Sequence, residues 1–293
     1  MSVSIAVFGL HGSLGQPTID AINSGKFDNK LKFPVKAITR KDKTSTDRIE
    51  YIKTEINPDT VDSIAAKLPG VDVIIELLAC TPDLFACTEQ IVAKVKPKLF
   101  IPSQFGSDYT VCNEFVPGMF YNKISHSENV RKMGVKAVDI ITTFFAQPGL
   151  YMYEVVGHLG IDPKTKSYFQ IGDLNTKVPF TRVEDIGYVV LAVSTTPIDT
   201  LPDEIKVKSG SISYADAIDK YEQTHDVKLE KSSEITTDEA RKQLNEKLKQ
   251  TGGFNWNDFL WYLHVIGAHG IDYDEKDNEL INPNQSVWEW TKY

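Results

Sequence analysis

From Val3 to Ser103 the sequence alternates between short apolar, mostly β-branched runs and amphipathic stretches of helical period. The runs Val3–Phe8, FPVKAIT (33–39), RIEYIKTEI (48–56), GVDVIIELL (70–78) and KLFIPS (98–103) read as strands. Helices are expected over 13–22, where Pro17 falls in the first turn, over 59–68, opening on Asp59 as a cap, and over 83–95. Eight residues separate the second and third strands, too few for a full crossover helix, so that connection is abbreviated. Such alternation specifies an α/β fold, a doubly wound parallel sheet of the Rossmann type with helices on both faces.

The pattern continues with a helix over 120–132 and a sixth strand at AVDIIT (137–142), while QFGSDYTVCNEFVPG (104–118) reads as a loop. Past Pro148 the regularity weakens into short strands, a helix over 181–194 and several later helices. The expected organisation is a dinucleotide-binding domain over 1–150, completed by about 177–200, and a smaller C-terminal α/β substrate lobe over 151–293. No linker, repeat or low-complexity tract interrupts it.

The first strand ends in VFGLHGSLG (7–15). Gly9 permits a tight turn, Gly12 lets backbone approach a pyrophosphate, and Gly15 allows close helix–strand packing. His11, Ser13 and Leu14 complete a turn whose N–H groups, with the positive end of the helix, suit an anion. The plainer alternative is a structural turn. At the end of the second strand, ITRKDK (38–43) offers Arg40 and Lys41 where an NAD site usually carries an acid, so NADPH/NADP+ is the expected cofactor. No tyrosine has a lysine four residues on, which removes the usual short-chain dehydrogenase pair.

A net charge of −8 argues against a nucleic-acid or anionic-membrane surface. Cys80, Cys87 and Cys112 form no even disulfide set, as expected of buried or idle cytosolic thiols. The N-terminus enters a strand without a signal-like segment, and no apolar run approaches the ~20 residues of a membrane span; the expected compartment is the cytoplasm. His264 and His269 lack spaced metal-ligating partners, so no metal is expected. FNWNDFLWYL (254–263) has helical spacing and fits either a core stripe or an aromatic wall for a ring-bearing substrate.

KLFIPSQFGSD (98–108) resembles the F-x-P-S-E-F-G-x-D stretch of isoflavone reductase-like proteins, atypical short-chain dehydrogenases of the NmrA-like group. IGDLNTKVPFTRVEDIG (171–187) resembles their G-D-G-N-x-K-x-x-F-x-x-x-E-D-I-G stretch, LPGVDVIIELL (68–78) their L-x-G-V-D-V-V-I-S strand, and IGAHGIDYD (266–274) a late glycine-centred segment. The resemblance covers nearly the whole chain.

It implies an NADPH-dependent reductase of a small organic, ring-bearing substrate. Lys123, eleven residues before Gly134, matches the family's general acid/base lysine. A lysine there can relay a proton or, as a cation, stabilise a developing oxyanion. Phe105 and Gly106 would lie by the nicotinamide or the substrate mouth, with a core role for Phe105 as the alternative, and Thr143 stands where plant reductases have an asparagine near the nicotinamide. Gln104 replaces the family's Glu, and His11 a usual Thr. His126, one turn beyond Lys123, is a further candidate to face the cleft. Glu184 and Asp185 read as a helix cap that ties the lobes together. The same group includes non-catalytic NADP-binding regulators that act through a protein partner. Both that reading and a homo-oligomer stay open.

Overall fold

A computed structural model describes residues 2–146 and 160–293. Its first half runs β1 (Val3–Phe8), α1 (Gly15–Asn23), β2 (Leu31–Thr39), β3 (Ile49–Lys53), α2 (Val61–Ala66), β4 (Val73–Glu76), α3 (Pro82–Val95), β5 (Leu99–Ile101), α4 (Tyr109–Phe115), α5 (Tyr121–Lys132) and β6 (Lys136–Ala137). The strands pair in parallel, in the order β3-β2-β1-β4-β5-β6. The order reverses between β1 and β4, which opens a crevice above their C-terminal ends.

Successive residues of the central strands serve opposite faces. Ile5 and Val7 join one core cluster with Ala21 and Ile22 of α1. Ala6 and Phe8 join another with Ile64 of α2, Ile91 of α3 and Val130 of α5. Burial on both faces is why these strands read as continuous apolar runs.

The second half contains β7 (Asp139–Ile141), β8 (Phe144–Ala146), β9 (Ile161–Asp162), β10 (Ser167–Ile171), β11 (Lys177–Arg182), α6 (Val183–Thr195), β12 (Glu204–Lys206), β13 (Gly210–Ser213), α7 (Tyr214–His225), β14 (Glu230–Ile235), α8 (Thr237–Thr251), α9 (Phe259–Ala268) and α10 (Lys276–Ile281). Its strands form small sheets ordered β14-β10-β9, β13-β11-β8 and β12-β7. A third core cluster lies here, with Ile212, Tyr221, Leu244 and Tyr262 among its members. Helix α6 packs elsewhere: Val183, Ile186 and Val190, with Trp288 of the C-terminal tail, enter the core shared with β1 and α1. Asp185 fastens that tail, accepting hydrogen bonds from Thr291 N and Thr291 Oγ1, both at 2.9 Å, and from Ser209 Oγ at 2.6 Å. Glu184 pairs with Arg182 instead, at 2.9 Å. The expected boundary at 150/151, like Pro148, lies outside the described residues.

Three local expectations are corrected. The stretch 104–118 contains a helix, α4, whose N-terminus is capped by Asp108 accepting from Thr110 N and Val111 N at 2.9 and 3.1 Å. The sixth strand breaks in two. β6 pairs with β5, whereas β7 pairs with β12. Arg131 sits at the break and donates to Ala137 O, to Asp203 O and to the Asp139 carboxylate, so the chain leaves one sheet for another there. Finally, the cap position of α2 belongs to Thr60, not Asp59, and the Thr60 hydroxyl turns back to Glu55 O at 2.6 Å.

Candidate functional site

The glycine turn carries three different physical demands. Gly9 adopts φ +92°, and a Cβ there would meet Leu77 O at 2.5 Å. A Cβ on Gly15 would stand 2.3 Å from the Leu10 carbonyl, so α1 could not seat against the turn. Gly12 differs: its nearest obstacles are Leu77 O at 3.6 Å and Gly9 O at 3.8 Å, and its φ is not left-handed. The protein itself would tolerate alanine at Gly12, whose open side lines the crevice. Helix α1 begins without a side-chain cap, and among the described residues no acceptor meets the N–H groups of Ser13 and Leu14. A concave backbone with free donors and no side chain in its mouth fits a pyrophosphate.

The crevice has three adjoining sections of about 400, 260 and 320 Å³. Gly9, His11, Gly12, Arg40 and Lys41 line the first, beside an apolar slot that includes Ile56 and Leu84. Gly12, Ser13, Leu14, Phe105 and Lys123 line the second. Lys123 and Cys80 also border the third, which is walled by Met119, Phe120, Tyr121, Phe254 and Trp256. Residues far apart in sequence thus share one groove along the ends of β1, β4 and β5.

Two expected residues lie off that lining. Gly15 serves packing, as above. Thr143 is buried, with φ +61°, and faces a small void beside Asp108, Cys112 and Tyr273. Its N–H donates to Gly106 O at 2.8 Å, while Gly106 N donates to Thr142 Oγ1 at 3.0 Å. The Thr142–Thr143 pair therefore pins the turn that carries Phe105.

Lys123 sits in the first turn of α5, half-buried. Its Nζ donates to Phe105 O at 3.4 Å and lies 5.8 Å from the Phe120 ring centre. Among the described residues it has no carboxylate partner. Gln104, buried beneath it, has no role in the sequence reading beyond replacing the family's Glu, yet it holds this turn. Its Nε2 donates to Lys123 O at 2.6 Å and to Ser127 Oγ at 2.7 Å, and Ser127 donates on to Asp139 at 2.6 Å.

His126 faces away from the groove. It is 1% exposed, stacked on Phe85 at 4.2 Å, with Nδ1 2.8 Å from Glu89 Oε1 and Nε2 3.3 Å from Glu76 Oε2. Burial opposes its charge, but Glu76 and Glu89 outweigh that and raise its pKa above the ordinary value. His264 lies within the third core cluster's aromatic packing, edge-on to Phe169 and Trp261, and burial alone pushes its pKa down to about 4. The segment 254–263 contributes both to the core and to the lining of the groove. Tyr262 and Leu263 are core, whereas Phe254 and Trp256 form wall. Cys87 and Cys112 are buried and Cys80 is exposed, all as free thiols. Among the described residues no group of three or more His, Cys, Asp or Glu is placed to hold a metal ion, and no helix is long and apolar enough to cross a membrane.

Fold and crevice define a doubly wound α/β class, with the crevice at the point where the strand order reverses. The sequence model of the NmrA-like family matches residues 1–254, and the chain belongs to that family. Its fold is shared with a crystal structure of isoflavone reductase at TM-score 0.66 and 19% identity, over 94% of this chain and 91% of that one. The binary complex of leucoanthocyanidin reductase with NADPH from Vitis vinifera gives TM-score 0.64 at 15% identity, over 93% and 90%. NmrA, a negative transcriptional regulator, gives 0.57 at 12%, over 80% and 75%. At these identities the likeness is one of fold. A comparison with curated proteins finds no match.

Proposed function

We propose that this chain is an NADPH-dependent reductase of a small, ring-bearing organic molecule, with Lys123 as its general acid/base. One observation carries the reading: Lys123 stands where the glycine-lined groove meets the aromatic pocket, with its ammonium free of any carboxylate among the described residues. NADPH, when bound, supplies a hydride from its nicotinamide. The glycine turn and α1 would receive the pyrophosphate, and the basic end of β2 the 2′-phosphate. Lys123 Nζ, held by Phe105 O, would give a proton to the reduced substrate or stabilise the oxyanion that forms on it. Phe120, Tyr121, Phe254 and Trp256 would hold the substrate's ring and exclude water.

The test is a Lys123→Ala variant assayed on a substrate found by screening for NADPH oxidation. Turnover should fall by about 10²–10⁴ with NADPH affinity unchanged. Unchanged turnover would remove Lys123 from the chemistry. The likeness to NmrA supports a second reading, a cofactor-sensing regulator that acts through a protein partner. That reading requires NADP(H) binding, no turnover across a broad screen, and a stoichiometric partner whose capture depends on NADP+ against NADPH.

A further inference from the structure

The basic end of β2 is more specialised than a patch of positive charge. Arg40 is turned to Glu55, at 3.8 Å on the open surface, and Asp42 is taken by Lys53 at 2.5 Å. Lys41 and Lys43 have no carboxylate partner among the described residues. Both act on His11, which reaches across from the glycine turn, and the Lys43 ammonium also lies 6.0 Å from the Tyr51 ring centre. The His11 ring is nearly parallel to Tyr51, at 17° with 6.4 Å between centres, and its Nε2 is hydrogen-bonded to Thr39 Oγ1. Thr39 is itself fixed, accepting from Lys41 N at 3.1 Å. The groups facing His11 are thus Thr39, Lys41 and Lys43 from β2 and the turn after it, and Tyr51 from β3, with Arg40 and Glu55 paired nearby. This set has surplus cations and a titratable ring held in place, and its nearby carboxylates, Glu55 and Asp42, are each already paired with a cation.

We infer that His11 is a pH-dependent ligand of the cofactor's 2′-phosphate, taking up a proton from solvent as that phosphate binds and so coupling the preference for NADPH over NADH to pH. The inference rests on the NADPH reading above and adds to it a residue and a direction. Without an anion, burial and the ammonium groups of Lys43 and Lys41 hold the His11 pKa below its ordinary value. A phosphate dianion among them reverses the sign of the local field, and the imidazolium becomes the favoured form. Binding therefore raises the pKa. The added affinity is fully present at low pH and is lost as pH rises through the bound-state value. NADH, lacking the 2′-phosphate, calls for no such proton.

The experiment is calorimetric titration of the full chain and of His11→Thr with NADPH and with NADH. It is run in two buffers of different ionisation enthalpy, between about pH 6.5 and 8. The ligand's own phosphate ionises near pH 6 and contributes proton release, so the readout is the difference between the two proteins. Wild type should take up more protons with NADPH than the variant does, and its NADPH preference should fall as pH rises. The variant should lose that slope and about tenfold of the preference, with NADH affinity unchanged. Equal proton uptake and equal slopes in the two proteins would overturn the inference, as would parallel loss of both cofactors, which marks damage to the turn. Absence of NADPH binding by wild type would instead overturn the parent reading.

Discussion

The Gln104 carboxamide nitrogen donates to the Lys123 carbonyl at 2.6 Å, joining the end of the β5 segment to the first turn of α5. The same nitrogen donates to Ser127 Oγ at 2.7 Å, one turn further along that helix. The position of Lys123 is therefore set by a buried amide that has two acceptors to satisfy.

A carboxylate at this place faces both acceptors without a donor. Gln104→Glu is expected to cost about 1–3 kcal/mol at neutral pH, with part of the loss recovered in acid as the new carboxyl protonates. Thermal melts across pH read this directly. With an active substrate in hand, kcat should fall more than NADPH affinity, because the residue positions Lys123 and lies off the groove lining.

Gly12 and Gly15 should respond oppositely. Gly15→Ala drives a Cβ into the Leu10 carbonyl and should destabilise the fold by about 1–3 kcal/mol. Gly12→Ala meets no such obstacle and should melt at or above the wild-type temperature, with a gain of up to about 1 kcal/mol. Its methyl group would stand in the mouth of the turn, so NADPH affinity should drop sharply. Loss of stability in Gly12→Ala with affinity retained would contradict this account of the turn.

Much of the fold is legible because each element of the first half has its own local signature. The central strands are almost entirely apolar, with Ser4 in β1 and Glu76 at the end of β4 as exceptions, and α3 carries both its Thr81 cap and its period. Helix α4 is legible only through Asp108, since seven residues are too few to display a period. The break between β6 and β7 depends on where the Arg131 guanidinium lands, which no local pattern records. The glycine turn, Arg40, Lys41 and Lys123 can all be found in sequence. Lys43 and Tyr51 become relevant only because β3 brings Tyr51 beside His11. Helical spacing makes His126 a candidate to face the cleft, but Phe85 and two carboxylates, Glu76 and Glu89, draw it to the other side of α5.

That burial has a pH consequence. The folded state raises the His126 pKa, so the stability it contributes is fully present below the unfolded value of about 6.5 and is lost as pH rises through the folded value. His126→Gln should remove this part of the stability-versus-pH curve, flattening its decline on the alkaline side. Chemical denaturation of both proteins at a series of pH values checks it; parallel curves would refute it.

The aromatic wall should separate substrate from cofactor. Trp256 is 68% exposed at the rim of the third section and makes its ring contacts with Phe254 and Phe259. Trp256→Ala should raise KM for a ring-bearing substrate about tenfold, leave the melting temperature within a few degrees, and leave NADPH affinity unchanged. Steady-state kinetics beside a cofactor titration distinguish these effects.

The most direct test of the central claim is titration of the purified, folded chain with NADPH, repeated with Gly12→Val. The account predicts saturable one-to-one binding by wild type, weaker binding of NADH, and no measurable binding by a variant that still melts cooperatively. Failure of the wild-type chain to bind NADPH, or undiminished binding by Gly12→Val, would contradict it.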